Sequence, residues 1–234
     1  MLSLLCLTPA VAQEDDVIQV GQATFKGNAL FVGVKGGLTF TSMTQPKQSD
    51  LYDKSGIGFS AGLAVNLRFG AGSDMPPASG VFGLGVEGKY VQNNVKTLAD
   101  EGDFKMGYFE VPVFARIYPF YKNAATNSLA LELGAAVAGT MSKDPDVLTI
   151  DNGIDRVSYP VKELKGFDIR PFVGVSYGIP LGSDRDAGGN YKVRHLADLN
   201  VRYYLGTSNL AKDMECKMNH LEVSVAFLFS ALKF

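Results

Sequence analysis

The stretch Ser55 to Phe69, SGIGFSAGLAVNLRF, alternates between two unlike faces. Ile57, Phe59, Ala61, Leu63, Val65, Leu67 and Phe69 fall in one phase, and Gly56, Gly58, Ser60, Gly62, Ala64, Asn66 and Arg68 in the other. A period of two puts successive side chains on opposite sides of an extended chain, so the segment predicts a strand with one apolar face. Seven further segments share this pattern: Leu30 to Thr41, Phe82 to Gln92, Gly107 to Tyr118, Leu129 to Met141, Phe167 to Leu181, Arg194 to Gly206 and Leu221 to Ser230. Soluble strands cluster near about 5–6 residues, whereas a tilted strand crossing a bilayer needs about 9–11. Runs of the length seen here favour a membrane.

Alternation alone does not say which face looks inward. The polar face of the opening strand is mostly Gly, Ala and Ser, as a narrow eight-stranded interior requires, because only small residues leave room for a few large ones. The charges in the polar phase are Lys35, Arg68, Lys89, Arg116, Arg170 and Arg202, against Glu87, Glu110, Glu132, Asp168, Asp198 and Glu222. They balance one for one. Buried charges must be paired, so balance is close to a requirement inside a narrow barrel and incidental on a wet surface. The expected fold is an all-β, eight-stranded, antiparallel up-and-down transmembrane barrel with a filled, charged lumen. A soluble lipocalin-like binding barrel is the competing architecture. Arg116 and Glu132 lie symmetrically about Ala124, so a symmetric hairpin sets them opposite each other.

Connections after strands one, three, five and seven read longer than those between, as expected for outer-membrane barrels, although the contrast is modest except at Ser142 to Gly166. Within that segment Val147 to Ile150 and Val157 to Val161 flank the turn former Asp151-Asn152-Gly153, predicting an extra hairpin beyond the membrane. Pro112 and Pro171 fall inside strands, where the missing N–H breaks a ladder; bulges or sheet margins are expected there.

Composition narrows the picture. Charged residues make up 20% of the chain, Gly contributes 26 residues, Trp none and His two. A net charge of −2 leaves no basic footprint for nucleic acid. The first residues, MLSLLCLTPAVAQ, resemble the end of a secretory leader, with an apolar core before Ala10-Val11-Ala12 and cleavage expected between Ala12 and Gln13. The expected organisation is a leader remnant at 1–12, a periplasmic lead at 13–28 and a barrel at 29–234. Leu5 before Cys6 is not the small residue that lipoprotein cleavage needs. Cleavage would leave Cys216 alone, so no internal disulfide is expected. No run of 18 apolar residues predicts a spanning helix.

Candidate chemistry is thin. His220, Glu222 and Ser224 share a face and are the residue types of a serine hydrolase. At about 3.3 Å per residue, however, His220 and Ser224 stand roughly 13 Å apart along a strand, whereas a nucleophile and its base need about 2.6–3.2 Å. His220 is expected to pair with Glu222 at the lumen mouth. His195 reads as interfacial, and Tyr118, Phe120 and Tyr121 as an aromatic girdle. No catalytic residue, metal ligand or cofactor is expected, and the protein is read as non-enzymatic.

Near the C-terminus, Glu222, Ser224, Phe227 and Phe229 resemble the assembly signal of outer-membrane barrels, with Ser224 where Gly is usual and residues 230–234 following the last aromatic. GVKGGLTF (33–40), YFEVPVFARIYP (108–119) and FDIRPFVGVSYGIPL (167–181) are similar to the first, fourth and sixth strands of the PorT-like outer-membrane β-barrel proteins of the Bacteroidetes. That resemblance implies prolines at 112 and 171, an outer-membrane location, no catalytic residues and, for the named member, a part in type IX protein secretion. The expected partners are therefore the outer-membrane lipid bilayer, the barrel-assembly machinery and secretion-system or surface proteins met through the loop 142–166. The expected role is structural or accessory, with a small-solute channel as the alternative.

Overall fold

The computed structural model describes residues 29–44, 54–69, 81–96, 103–121, 126–144, 147–151, 156–160, 166–185, 191–208 and 217–233. Among them run ten strands: β1 (Ala29–Thr44), β2 (Lys54–Arg68), β3 (Phe82–Lys96), β4 (Asp103–Ile117), β5 (Leu129–Asp144), β6 (Val147–Asp151), β7 (Arg156–Pro160), β8 (Phe167–Arg185), β9 (Tyr191–Tyr204) and β10 (Lys217–Lys233). Eight close into an antiparallel barrel in the order β1-β10-β9-β8-β5-β4-β3-β2. Each spanning strand pairs with its neighbour in sequence, and β1 seals the wall against β10 from Ala29↔Lys233 to Thr44↔Lys217. Closure satisfies the backbone groups that an open sheet would leave bare at its edges, which hydrocarbon cannot tolerate.

The two phases of each strand separate as their chemistry demands. Leu63, Leu133, Val113, Val173, Val201 and Phe227 stand exposed on the outer wall, while the alternate residues are buried. The opening stretch divides in this way: Ile57, Phe59, Leu63 and Val65 point out, and Ser60, Ala64, Asn66 and Arg68 point in. Small residues make the interior possible. A Cβ on Gly62 would stand 2.5 Å from the Cβ of Lys89 and 2.3 Å from the Gly88 carbonyl, so that close approach of β2 and β3 needs glycine.

The strands run past the segments that alternation marks, and the outer end of β3 shows why. From Phe82 to Tyr90 the outward residues are apolar. Beyond that Gln92 and Asn94 point outward and Val91 and Val95 are buried. β4 follows suit, with Lys105 exposed and Met106 buried. The polarity inverts where the wall leaves lipid for water, and the ladder continues through the inversion: Asn93↔Met106 and Lys96↔Asp103 remain paired.

Several expectations change in consequence. The connections at the end away from both termini are 45–53, 97–102, 145–166 and 205–216; those at the terminal end are 69–81, 118–128 and 186–190. Apart from 145–166, the expected long–short contrast is absent, because the strands themselves absorb loop residues. β6 and β7 do form a separate two-stranded hairpin, in which the expected turn former Asp151 is instead the last residue of β6 and pairs with Arg156. Pro112 is neither at a bulge nor at a margin. It is buried in the middle of β4, and the β3–β4 ladder skips from Val86↔Val113 to Lys89↔Glu110 with no change of register. Pro171 pairs with Ala135 on one side, and on the other lies just past the β8–β9 ladder, where its carbonyl accepts from the Leu205 N–H at 2.9 Å. The expected leader with Ala12 and Gln13, the segment 13–28 and Cys216 lie outside the described residues.

Candidate functional site

All twelve charged residues of the polar phase are buried in the lumen. Adjacent strands bring some together directly: Arg116 and Glu132 are register partners across β4 and β5, and Arg116 Nη2 lies 2.8 Å from Glu132 Oε1. Others meet across the lumen, along one strand or in neighbouring ladders. Lys35 Nζ stands 3.0 Å from both carboxylate oxygens of Glu87 and 3.5 Å from Glu222 Oε1. Lys89 meets Glu222 in a close ion pair and Glu110 Oε2 at 3.7 Å. Arg170 bridges Glu110 at 2.5 Å and Asp168 at 3.0 Å. Arg202 bridges Glu87 at 2.8 Å and Glu132 at 2.5 Å, and Arg116 reaches on to Asp198 at 2.6 Å.

These contacts join into one alternating chain: Asp168, Arg170, Glu110, Lys89, Glu222, Lys35, Glu87, Arg202, Glu132, Arg116, Asp198. Every interior member has an opposite charge on each side, the arrangement in which Coulomb attraction can offset the large cost of removing the groups from water. Arg68 takes a different place. Its Nη2 donates to the Asn127 carbonyl at 2.6 Å, and its guanidinium carbon lies 4.0 Å from the centre of the Tyr118 ring. Arg68, Arg116, Asp198, Phe31 and Leu196 help to line a cavity of about 10 Å³, room for about one water and no more. Below it Phe31, Leu196 and Leu228 pack together as an apolar cluster at the terminal end.

The charges of the polar phase do not announce a second feature, an inward row of rings. Phe114 meets Phe172 edge-on with ring centres 5.9 Å apart, Phe172 meets Tyr204 at 4.6 Å, and Tyr204 stacks on His220 at 4.4 Å and 11°. The Arg202 guanidinium lies 4.2 Å over Phe114. The available signal was phase: Phe114, Phe172 and Tyr204 each fall among the inward residues of their strands.

His220 departs from expectation. It is wholly buried, and neither ring nitrogen has a hydrogen-bond partner among the described residues. Glu222 instead accepts from Lys89 and from the Ser60 hydroxyl at 3.2 Å. The two carboxylate oxygens are drawn to the cations, and the imidazole, one pleat away, is left against Tyr204. Ser224 is also buried with its hydroxyl unpartnered among the described residues. Tyr118 leaves the expected girdle because it continues the inward phase of Phe114 and Arg116; it is buried, whereas Phe120 is exposed. His195 lies on the outer wall with its ring edge-on to Phe229 at 5.2 Å. Of the C-terminal motif, Glu222 and Ser224 face the lumen and Phe227 and Phe229 the outside.

The structure is similar to that of neisserial surface protein A, with 15% identity and a TM-score of 0.44 over 88% of this chain and 99% of that one. It is also similar to the attachment invasion locus protein Ail of Yersinia pestis, at 14% identity and a TM-score of 0.38 over 87% and 99%. OprG of Pseudomonas aeruginosa is 12% identical, with a TM-score of 0.39 over 90% and 99%. The sequence matches none of the curated proteins. It does match the outer membrane protein beta-barrel domain over residues 12–212, most of its length. The closed eight-stranded wall, apolar outside and charged inside, thus belongs to a member of the outer membrane protein beta-barrel domain family, and its place is the outer membrane.

Proposed function

We propose that this small outer-membrane protein is a closed, non-catalytic barrel with a structural or accessory role, exercised through the loops at the end away from both termini. The observation that carries this reading is the ion-pair chain from Asp168 to Asp198, which occupies the lumen a solute would need. With the interior filled, the surface left for work is the outer rim, where 145–166 is the longest connection and carries the β6–β7 hairpin. The motifs 33–40, 108–119 and 167–181 support a finer reading as a PorT-like protein of the Bacteroidetes serving secretion. In that reading residues 1–12 are a leader, 13–28 a periplasmic lead and 29–234 the barrel. Glu222, Ser224, Phe227 and Phe229 are the signal read by the barrel-assembly machinery, and secretion-system or surface proteins dock on the loop 142–166.

Two measurements test it. The folded protein in planar bilayers is expected to give no steady current; a stable ion-selective conductance would replace this reading with a small-solute channel. Deleting residues 147–160 is expected to leave a heat-modifiable barrel in the outer membrane while export of cargo proteins fails. Unchanged export would reject the accessory role.

A further inference from the structure

At the end of the lumen away from the termini, two buried thioethers lie near each other, and one of them precedes by two residues an imidazole unpartnered among the described residues. Met106 and Met218 are buried, from β4 and β10 respectively. The Tyr108 hydroxyl lies 3.2 Å from Met106 Sδ and 3.8 Å from Met218 Sδ, so the two sulfurs share one small volume. Asn93 Nδ2 donates to Met218 Sδ at 3.6 Å. His220 follows Met218 by two residues on the same inward face of β10, with both ring nitrogens unpartnered among the described residues. Thr41 Oγ1, the register partner's hydroxyl beside His220, and Asn93 Oδ1, beside Met106, lack partners too.

We propose that Met106, Met218 and His220 form a binding site for a soft monovalent cation of the Cu(I) or Ag(I) class. Thioethers are soft, neutral ligands that select such ions, and an imidazole nitrogen suits the same metals. Neutral ligands match a monovalent charge, and unlike thiols they do not form disulfides in the oxidising space outside the cell. Each sulfur has two lone pairs, so the weak contacts from Tyr108 and Asn93 orient the thioethers and leave a lone pair for metal. A buried polar group without a partner costs free energy, and an imidazole with two free nitrogens is costly unless it has a ligand to hold. The cluster is buried but lies toward one end of the lumen. Met106 pairs with Asn93 in the part of the wall where the outward residues Gln92 and Asn94 have become polar, so it lies beside the aqueous mouth and not at mid-membrane.

The test uses the full barrel, folded in detergent, with Cys6 and Cys216 replaced by Ser so that no thiol competes. Ag(I), which needs no reductant, is titrated by calorimetry, and Cu(I) is titrated against a chromogenic chelator. One equivalent of either ion is expected to bind, with Zn(II) failing to do so. Met106→Leu, Met218→Leu and His220→Leu change volume little and are expected to weaken binding by about tenfold or more each. Heat-modifiable gel migration establishes that each variant is folded. Folded protein that binds no Ag(I), or a folded Met106→Leu/Met218→Leu variant that binds as tightly as the parent, would overturn the site.

Discussion

Arg202 and Glu132 couple the two halves of the lumen. The guanidinium Nε donates to Glu132 Oε2 at 2.5 Å while Nη1 holds Glu87 at 2.8 Å, and Glu132 Oε1 turns to Arg116. Through this link the pairs near the terminal end, Arg116 with Asp198, join those around Lys35 and Lys89. It is the point at which a single change divides the chain.

Glu132→Gln removes one charge and leaves Arg202 and Arg116 facing a neutral amide. Breaking a buried pair on one side costs about 3–5 kcal/mol, because the remaining charge stays buried. Arg202→Met alone leaves Glu132 short of a partner and is expected to cost a similar amount. The double variant leaves Glu87 with Lys35 and Arg116 with Asp198. It should therefore cost less than the two singles summed, by about 1–3 kcal/mol of coupling. Reversible urea unfolding in lipid vesicles, followed by circular dichroism, measures all three. Additive costs would mean that the link is not energetic.

Much of the wall was legible because lipid and a narrow lumen each impose a period of two. SGIGFSAGLAVNLRF could be divided into faces with no neighbour known, and Arg116 could be matched with Glu132 because a hairpin is a local symmetry. The limits are equally physical. Lys35 meets Glu87 from 52 residues away, a contact set by closure and stagger of the whole barrel and by nothing local. The strand ends were lost where Gln92 and Asn94 reverse the pattern that alternation relies on. His220 misleads because a carboxylate one pleat away looks like its natural partner until two lysines claim it.

Gly33 stands in the seam that closes the barrel, opposite Leu228. A Cβ there would meet the backbone oxygen of Phe227 at 1.8 Å, and backbone cannot swing aside as a side chain can. Gly36, three residues on, faces outward with only the Ser60 oxygen near, at 3.8 Å. Gly33→Ala is expected to destabilise by about 1–3 kcal/mol and to lower the fraction that migrates as a compact barrel. Gly36→Ala should do neither. Equal behaviour of the two variants in unheated gels would show that the seam has room to spare.

Phe227 and Phe229 point out of the barrel, and Phe229 rests edge-on against His195. If they act chiefly as an assembly signal, their loss should harm insertion more than stability. Phe229→Ala is expected to cost no more than about 3 kcal/mol in urea unfolding of protein refolded in lipid vesicles, the most that the ring can gain from its protein and lipid surroundings together. Its level in the outer membrane of growing cells is expected to fall several-fold. Parallel losses in both measurements would reduce the motif to ordinary packing.

The bilayer boundary can be located from the outside of the wall. Leu133 lies in the apolar band of the outer wall, beside Ala115 and Val173, with 65% of its surface uncovered by protein. Leu133→Arg puts a charge against hydrocarbon, at a cost of about 2–4 kcal/mol near the midplane and about 0–1 kcal/mol near an interface. Gln92 points out of the same wall beyond the polarity inversion, where its amide donates to Asn94 Oδ1 at 3.1 Å. Gln92→Arg should therefore cost about 1 kcal/mol or less in lipid vesicles. The difference between the two sites should shrink in short-chain detergent, which thins the apolar layer around the barrel. A penalty at Gln92 as large as that at Leu133 would extend the membrane over Gln92 and place Met106 and its neighbours within it.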